Sequence, residues 1–131
     1  MTTTHAQGTF DIDMRPTEPV ADGRIGRFDL SKNFHGDLSG TAEGVMLAVG
    51  DPTSGNAGYV ALEVLQVEHD GRSGTFALQQ FGKMRGGEST LDYIVAPGSG
   101  TGDFAGIGGV FTLTVDADGV HHYDLAYELP E

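Results

Sequence analysis

The run from residue 58 to residue 82 carries apolar side chains at both odd and even positions, with Asp70-Gly71 at its centre. An Asp-Gly pair between two such runs is the signature of a two-residue type I′ hairpin. That turn sets the register: His69 faces Arg72, Val67 faces Gly74, Leu65 faces Phe76 and Glu63 faces Leu78. Tyr59, Ala61, Glu63, Leu65, Phe76, Leu78 and Gln80 then share one face, and Val60, Leu62, Val64, Gln66, Ala77, Gln79 and Phe81 share the other. A hairpin that is apolar on both sides must be covered twice, which a closed barrel with a further layer outside it provides.

Strand-like runs also fall at 8–14, 25–34, 38–49, 89–96, 108–115 and 120–129, so the pattern predicts eight strands in all. Most separators are short turn chemistries, at 35–37, 51–56, 85–88 and 118–119, which favour sequential antiparallel neighbours. In the last hairpin, a three-residue Ala117-Asp118-Gly119 loop with Gly119 left-handed aligns Val115, Leu113 and Phe111 with His121, Tyr123, Leu125 and Tyr127 on one face. Residues 1–7 read as a flexible N-terminus. Residues 15–23, with Pro16 and Pro19, read as a loop that serves as a lid or rim. The glycine-rich connection 97–107 is expected to cross one barrel end. No segment holds a 3.6-residue apolar period, so the expected fold is all-β: one eight-stranded antiparallel barrel, a single domain over 8–131.

Composition narrows the partners. A chain of 131 residues supports one modest core. Its net charge of −12 comes from 19 acids against 7 scattered bases, which argues against nucleic acid and anionic membrane. It has no cysteine, hence no thiolate chemistry. With no apolar leader or membrane-length run, the expectation is a cytoplasmic protein. Residues 98–102 lack the helix that a nucleotide loop needs, Ser99 lacks a nucleophile elbow, and His121-His122 lacks metal-ligand spacing. No cofactor and no metal are expected.

Glu63 is the leading catalytic candidate, because a carboxylate among Val, Leu and Ala is placed to hold or hand over a proton inside an enclosed space. Tyr59, Gln79 and Gln80 are candidates to orient a ligand carbonyl or hydroxyl, or else to satisfy one another. Tyr59 and Gln80 lie close enough to Glu63 for a hydrogen-bonded triad. Phe76 and Leu78 would line the same space. Glu43 repeats the Glu63 pattern among smaller residues. His35 and Asp37 occupy a strand end where rim residues sit, and a local bond between them is the plainer alternative.

The segments at 8–10, 32–40, 58–63, 71–79, 97–102 and 123–127, including Asn33-Phe34-His35-Gly36-Asp37 and Gly98-Ser99-Gly100-Thr101-Gly102, resemble the domain-of-unknown-function 3224 family over 8–129. The resemblance implies a barrel similar to allene oxide cyclase, usually oligomeric, with no settled activity. Relatives of that barrel include cyclases that steer ring closure of an apolar compound mainly by shape, with a Glu or a water as the polar contribution. The family motif falls on His35, Asp37, Glu63 and Gln79 as pocket or structural positions. Members often carry His where this chain has Gln80, a departure that weakens acid–base chemistry more than binding.

Two functions follow. One is a barrel that binds an apolar small molecule through Glu63, Tyr59 and Gln80, with isomerase or cyclase activity as its catalytic form. The other is a non-enzymatic structural or interaction protein with a filled core and a second apolar face covered in a homo-oligomer, a dimer being favoured. An open cavity at Phe76, Leu78 and Glu63 would support the first, and packing through the centre the second.

Overall fold

The computed structural model describes residues 2–130. Its strands run in chain order: β1 (Thr4–Val20), β2 (Ile25–Gly36), β3 (Ser39–Asp51), β4 (Asn56–His69), β5 (Arg72–Arg85), β6 (Glu88–Val95), β7 (Gly108–Val115) and β8 (His121–Glu128). Each pairs antiparallel with the next, and β8 returns to β1, so the sheet closes into a barrel. Closure covers the edge of β1 along residues 4–10 and that of β8.

The β4–β5 register is the one the Asp70-Gly71 turn dictates, with Glu63 opposite Leu78 and Leu65 opposite Phe76. Asp70 and Gly71 take φ of 54° and 78°, the doubly left-handed conformation of a type I′ turn. At the last hairpin Leu113 faces Tyr123 and Phe111 faces Leu125, with Gly119 at φ 83°.

Two segments differ from expectation. β1 starts at Thr4 rather than Gly8, because residues 4–10 pair with β8 to close the barrel and Ala6 is fully buried there. At its other end β1 continues through Pro16 and Pro19 to Val20 instead of entering a loop at Arg15. Its pairing with β8 stops at Phe10, so beyond that point β1 is an edge strand bonded only to β2, which is itself paired with β3, and an edge tolerates a missing N–H. The turn is confined to residues 21–24.

The face carrying Ala61, Glu63, Leu65, Phe76 and Leu78 points inward, and Val60, Leu62, Val64 and Phe81 point outward. Aromatic rings fill much of the interior: Phe10, Phe34, Tyr93, Phe111 and Tyr123 are in mutual contact, with Phe111 stacked on Tyr123. One end is stoppered by the connection from β6 to β7, whose Phe104 packs edge-on to Phe76 and Tyr127 and whose Ile107 is buried. Ser99 and Thr101 from the same connection bond to the β5 backbone at Ala77 and Thr75. This side support sits where β6 and β7 share only the Ile94–Val110 pairing.

Candidate functional site

The opposite end is open. A row of paired residues, Gly26, Ala48, Tyr59, Gly82 and Leu91, crosses β2 to β6 at this rim. A mouth cavity of about 390 Å³ lies here, lined by Met46, Ala48, Tyr59, Met84 and Leu91 among others. That size lies within the usual range for small-molecule sites. Gly82 has a local reason: a Cβ there would run into the edge of the Tyr59 ring, so the glycine lets that ring lie across β5. The Tyr59 hydroxyl donates to Gln80 Oε1 at 3.0 Å.

Below the rim the barrel holds a buried polar cluster. Moving from β2 to β4 to β6, residues at one height step back by two positions relative to the paired rows, as the stagger of a closed barrel requires. Lys32, Glu63 and Tyr93 are therefore brought together although they belong to three different rows of the sheet. Lys32 is 4% exposed, Glu63 1% and Tyr93 3%. Lys32 Nζ donates to Glu63 Oε1 at 3.0 Å and to the Tyr93 hydroxyl oxygen at 2.9 Å. The Tyr93 hydroxyl donates in turn to Glu63 Oε1. Glu63 Oε2 lies 2.8 Å from Lys32 Nζ, an ion-pair contact without hydrogen-bonding angles, and it makes no other polar contact. The ammonium also sits 4.6 Å from the centre of the Phe10 ring, a cation–π arrangement.

Burial and the neighbouring Glu63 carboxylate push the Tyr93 phenol far above its ordinary range, so it remains a hydrogen-bond donor at any accessible pH. Burial, and then Glu63, also raise Tyr59, which marks Tyr59 as the rim residue within electrostatic reach of the cluster. Gln80 is paired with Tyr93 across β5 and β6, which places the Tyr59–Gln80 pair next to the Tyr93–Glu63–Lys32 cluster without a hydrogen bond joining the two groups.

The sequence candidates separate by position. Glu63, Tyr59 and Gln80 point inward, but Glu63 bonds to Lys32 and Tyr93 rather than to Tyr59 and Gln80. Phe76 and Leu78 are fully buried in packed core, so the barrel is filled at their level, away from the cavity at the mouth end. Gln79 faces outward beside Phe81. Glu43 is exposed. His35 is on the outer surface, with Nε2 2.8 Å from Asp11 rather than paired with Asp37. Asp37 accepts the Gln7 backbone N–H at 2.8 Å and so ties the β2–β3 turn to β1.

Lys32 and Tyr93 were not singled out in the sequence, though a signal existed. Along β2 every second residue from Phe28 is apolar, through Leu30 to Phe34, except Lys32, and Lys32 is one of only two lysines in the chain. A lone lysine on the inward-facing series of a barrel strand needs a buried counter-charge.

These features define a small closed antiparallel barrel, consistent with the allene oxide cyclase-like fold, with one end plugged and a polar cluster beneath the other. The chain belongs to the family described as protein of unknown function (DUF3224), whose model matches residues 6–127. It is similar to a crystal structure of a protein with unknown function from the same family from Shewanella oneidensis MR-1, at 34% identity and a TM-score of 0.91, over 99% of each chain. No curated protein matches.

Proposed function

We propose that this barrel binds an apolar small molecule in its mouth, with Tyr59 and Gln80 as the polar contacts that orient it above Glu63. The observation that carries the reading is the apolar cavity bordered by Tyr59, whose hydroxyl is anchored on Gln80 behind it, the arrangement by which a pocket gains affinity from apolar contact and orientation from a few polar groups. Methionines 46 and 84 line it and adapt their shape readily. A cyclase or isomerase would use the same enclosure to hold a reactive conformer. Native mass spectrometry of protein from its source, with release of bound molecules, tests the reading. A co-purifying apolar compound lost from Tyr59→Ala supports it, and a ligand-free protein that takes up nothing from a metabolite extract refutes it.

A second reading rests on the outer face and is compatible with the first: a homodimer. Leu62, Val64 and Phe81 are 59%, 55% and 53% exposed, and with Val60, Ile94 and Val110 they form an apolar surface over β4 to β7. A groove of about 540 Å³ runs through it, lined by Val45, Leu47, Leu62 and Phe81 with Asp92 at its edge. The fitting occupant is a second copy of this chain. Two copies, each of net charge −12, repel except across a nearly uncharged face. These side chains offer roughly 600 Å² per copy, near the scale of a stable interface. Light scattering should give a dimer that Leu62→Glu converts to monomer; a monomeric wild type removes the reading.

A further inference from the structure

We propose that Lys32 is a carbonyl-capturing amine, so that the molecule taken up by the mouth is an apolar aldehyde or ketone held as a reversible imine beneath Tyr59. The proposal rests on the mouth being a binding site. It starts from an imbalance in the core. A buried ion pair contributes little or nothing to stability compared with apolar side chains of the same size, yet one lies at the centre of an otherwise aromatic interior. It lies below the mouth: Glu63 is two inward-facing steps along β4 from Tyr59, close enough for its charge to be felt at the Tyr59 phenol.

The three groups supply the parts that imine formation needs. Lys32 is the nucleophile. Glu63 Oε2, already 2.8 Å from Nζ and otherwise without a polar partner, can take the proton that the ammonium must lose before it attacks. Tyr93, whose hydroxyl donates to Glu63 Oε1 beside Nζ, turns that proton to the oxygen of the carbinolamine once Glu63 is protonated. The step balances without an outside reagent. The lysine proton passes to Glu63, and the free amine adds to the carbonyl carbon. Proton transfers leave the carbinolamine as a neutral amine bearing a hydroxyl. Glu63 then returns its proton to that hydroxyl, the C–O bond breaks, and water leaves. The product is a protonated imine facing the restored carboxylate, which has the same charge pair as the starting state. The Phe10 ring beneath Nζ stabilises either cation.

The ligand reaches the amine by displacing Tyr59, which is only half-buried and held inward by the single hydrogen bond to Gln80. Ala61, the small buried residue between Tyr59 and Glu63 on the inward face of β4, puts no large side chain of that strand between the ring and the carboxylate.

The test uses 2-naphthaldehyde and the matched alcohol 2-naphthalenemethanol, which binds through the same ring but forms no imine. The full chain is incubated with the aldehyde and sodium cyanoborohydride, and the adduct is located by peptide mapping. The expected result is one reduced adduct per chain on Lys32, formed about tenfold or more faster than on the terminal amine or on Lys83, which borders the mouth on its outer side. The alcohol should slow it competitively. The wild-type map decides the matter even if variants at Lys32 fold poorly. Labelling confined to Lys83 and the terminal amine, while naphthalene fluorescence reports the alcohol bound, overturns the imine and leaves the binding site standing. If neither compound binds and Lys32 is unlabelled, both the imine and the mouth site are overturned.

Discussion

Replacing Glu63 by Leu strips the carboxylate from a lysine that is 4% exposed and leaves a buried ammonium facing one phenol and one aromatic ring. Breaking one side of a buried pair costs about 3–5 kcal/mol, mostly the desolvation of the charge left behind. The Tyr93 hydroxyl loses its acceptor in the same stroke, which places the expected loss in the upper part of that range. For a chain of this length each kcal/mol corresponds to roughly 3–5 °C, so the melting temperature should fall by about 12–25 °C. Lys32→Met alone should cost a similar amount, because it strands the carboxylate. The double variant Lys32→Met/Glu63→Leu removes both charges and should be more stable than either single variant. Urea unfolding of the four proteins, with a common slope, gives the cycle directly. If the two single variants each cost under about 1 kcal/mol and their effects simply add, the pair is solvated and the reasoning about the barrel interior is wrong.

Three further outcomes follow from other parts of the molecule. Gly82→Ala should push the Tyr59 ring off β5, break its bond to Gln80 and weaken binding of 2-naphthalenemethanol by about tenfold, measured by fluorescence titration, with a smaller effect on unfolding. Phe104→Ala should destabilise by about 3–5 kcal/mol in urea, since it removes the ring that closes the far end against Phe76 and Tyr127, while leaving that binding unchanged. Asp124 is held below its ordinary value of 3.8, first by the His5 and then by the Gln7 hydrogen bond, so its contribution to stability is present above about pH 4 and is lost as pH falls through the lowered value. The melting-temperature gap between wild type and Asp124→Asn should therefore be constant near pH 6 and shrink as pH falls below about 4; a constant gap throughout would show that the aspartate titrates normally.

Local chemistry determined much of this protein. The Asp70-Gly71 turn, needing positive φ at both residues, set which side chains face one another along β4 and β5, and the glycine of the last hairpin did the same for β7 and β8. Eight short strands with short turns and no helical period left closure as the natural way to protect edges. The proline-bearing end of β1 was misread, because whether a proline is tolerated depends on having an unpaired edge, and β1 becomes an edge only where β8 stops. Two-residue periodicity is symmetric between the faces of a strand, so when both are apolar it cannot say which one is inside. That was decided by closure, which turned Glu63 inward and Leu62 outward. The partners of Glu63 were beyond local pattern for the same kind of reason. Lys32 and Tyr93 lie 31 and 30 residues from it, and they meet only because the stagger of the whole barrel lifts three different rows to one height, a property of the closed sheet and of no single strand.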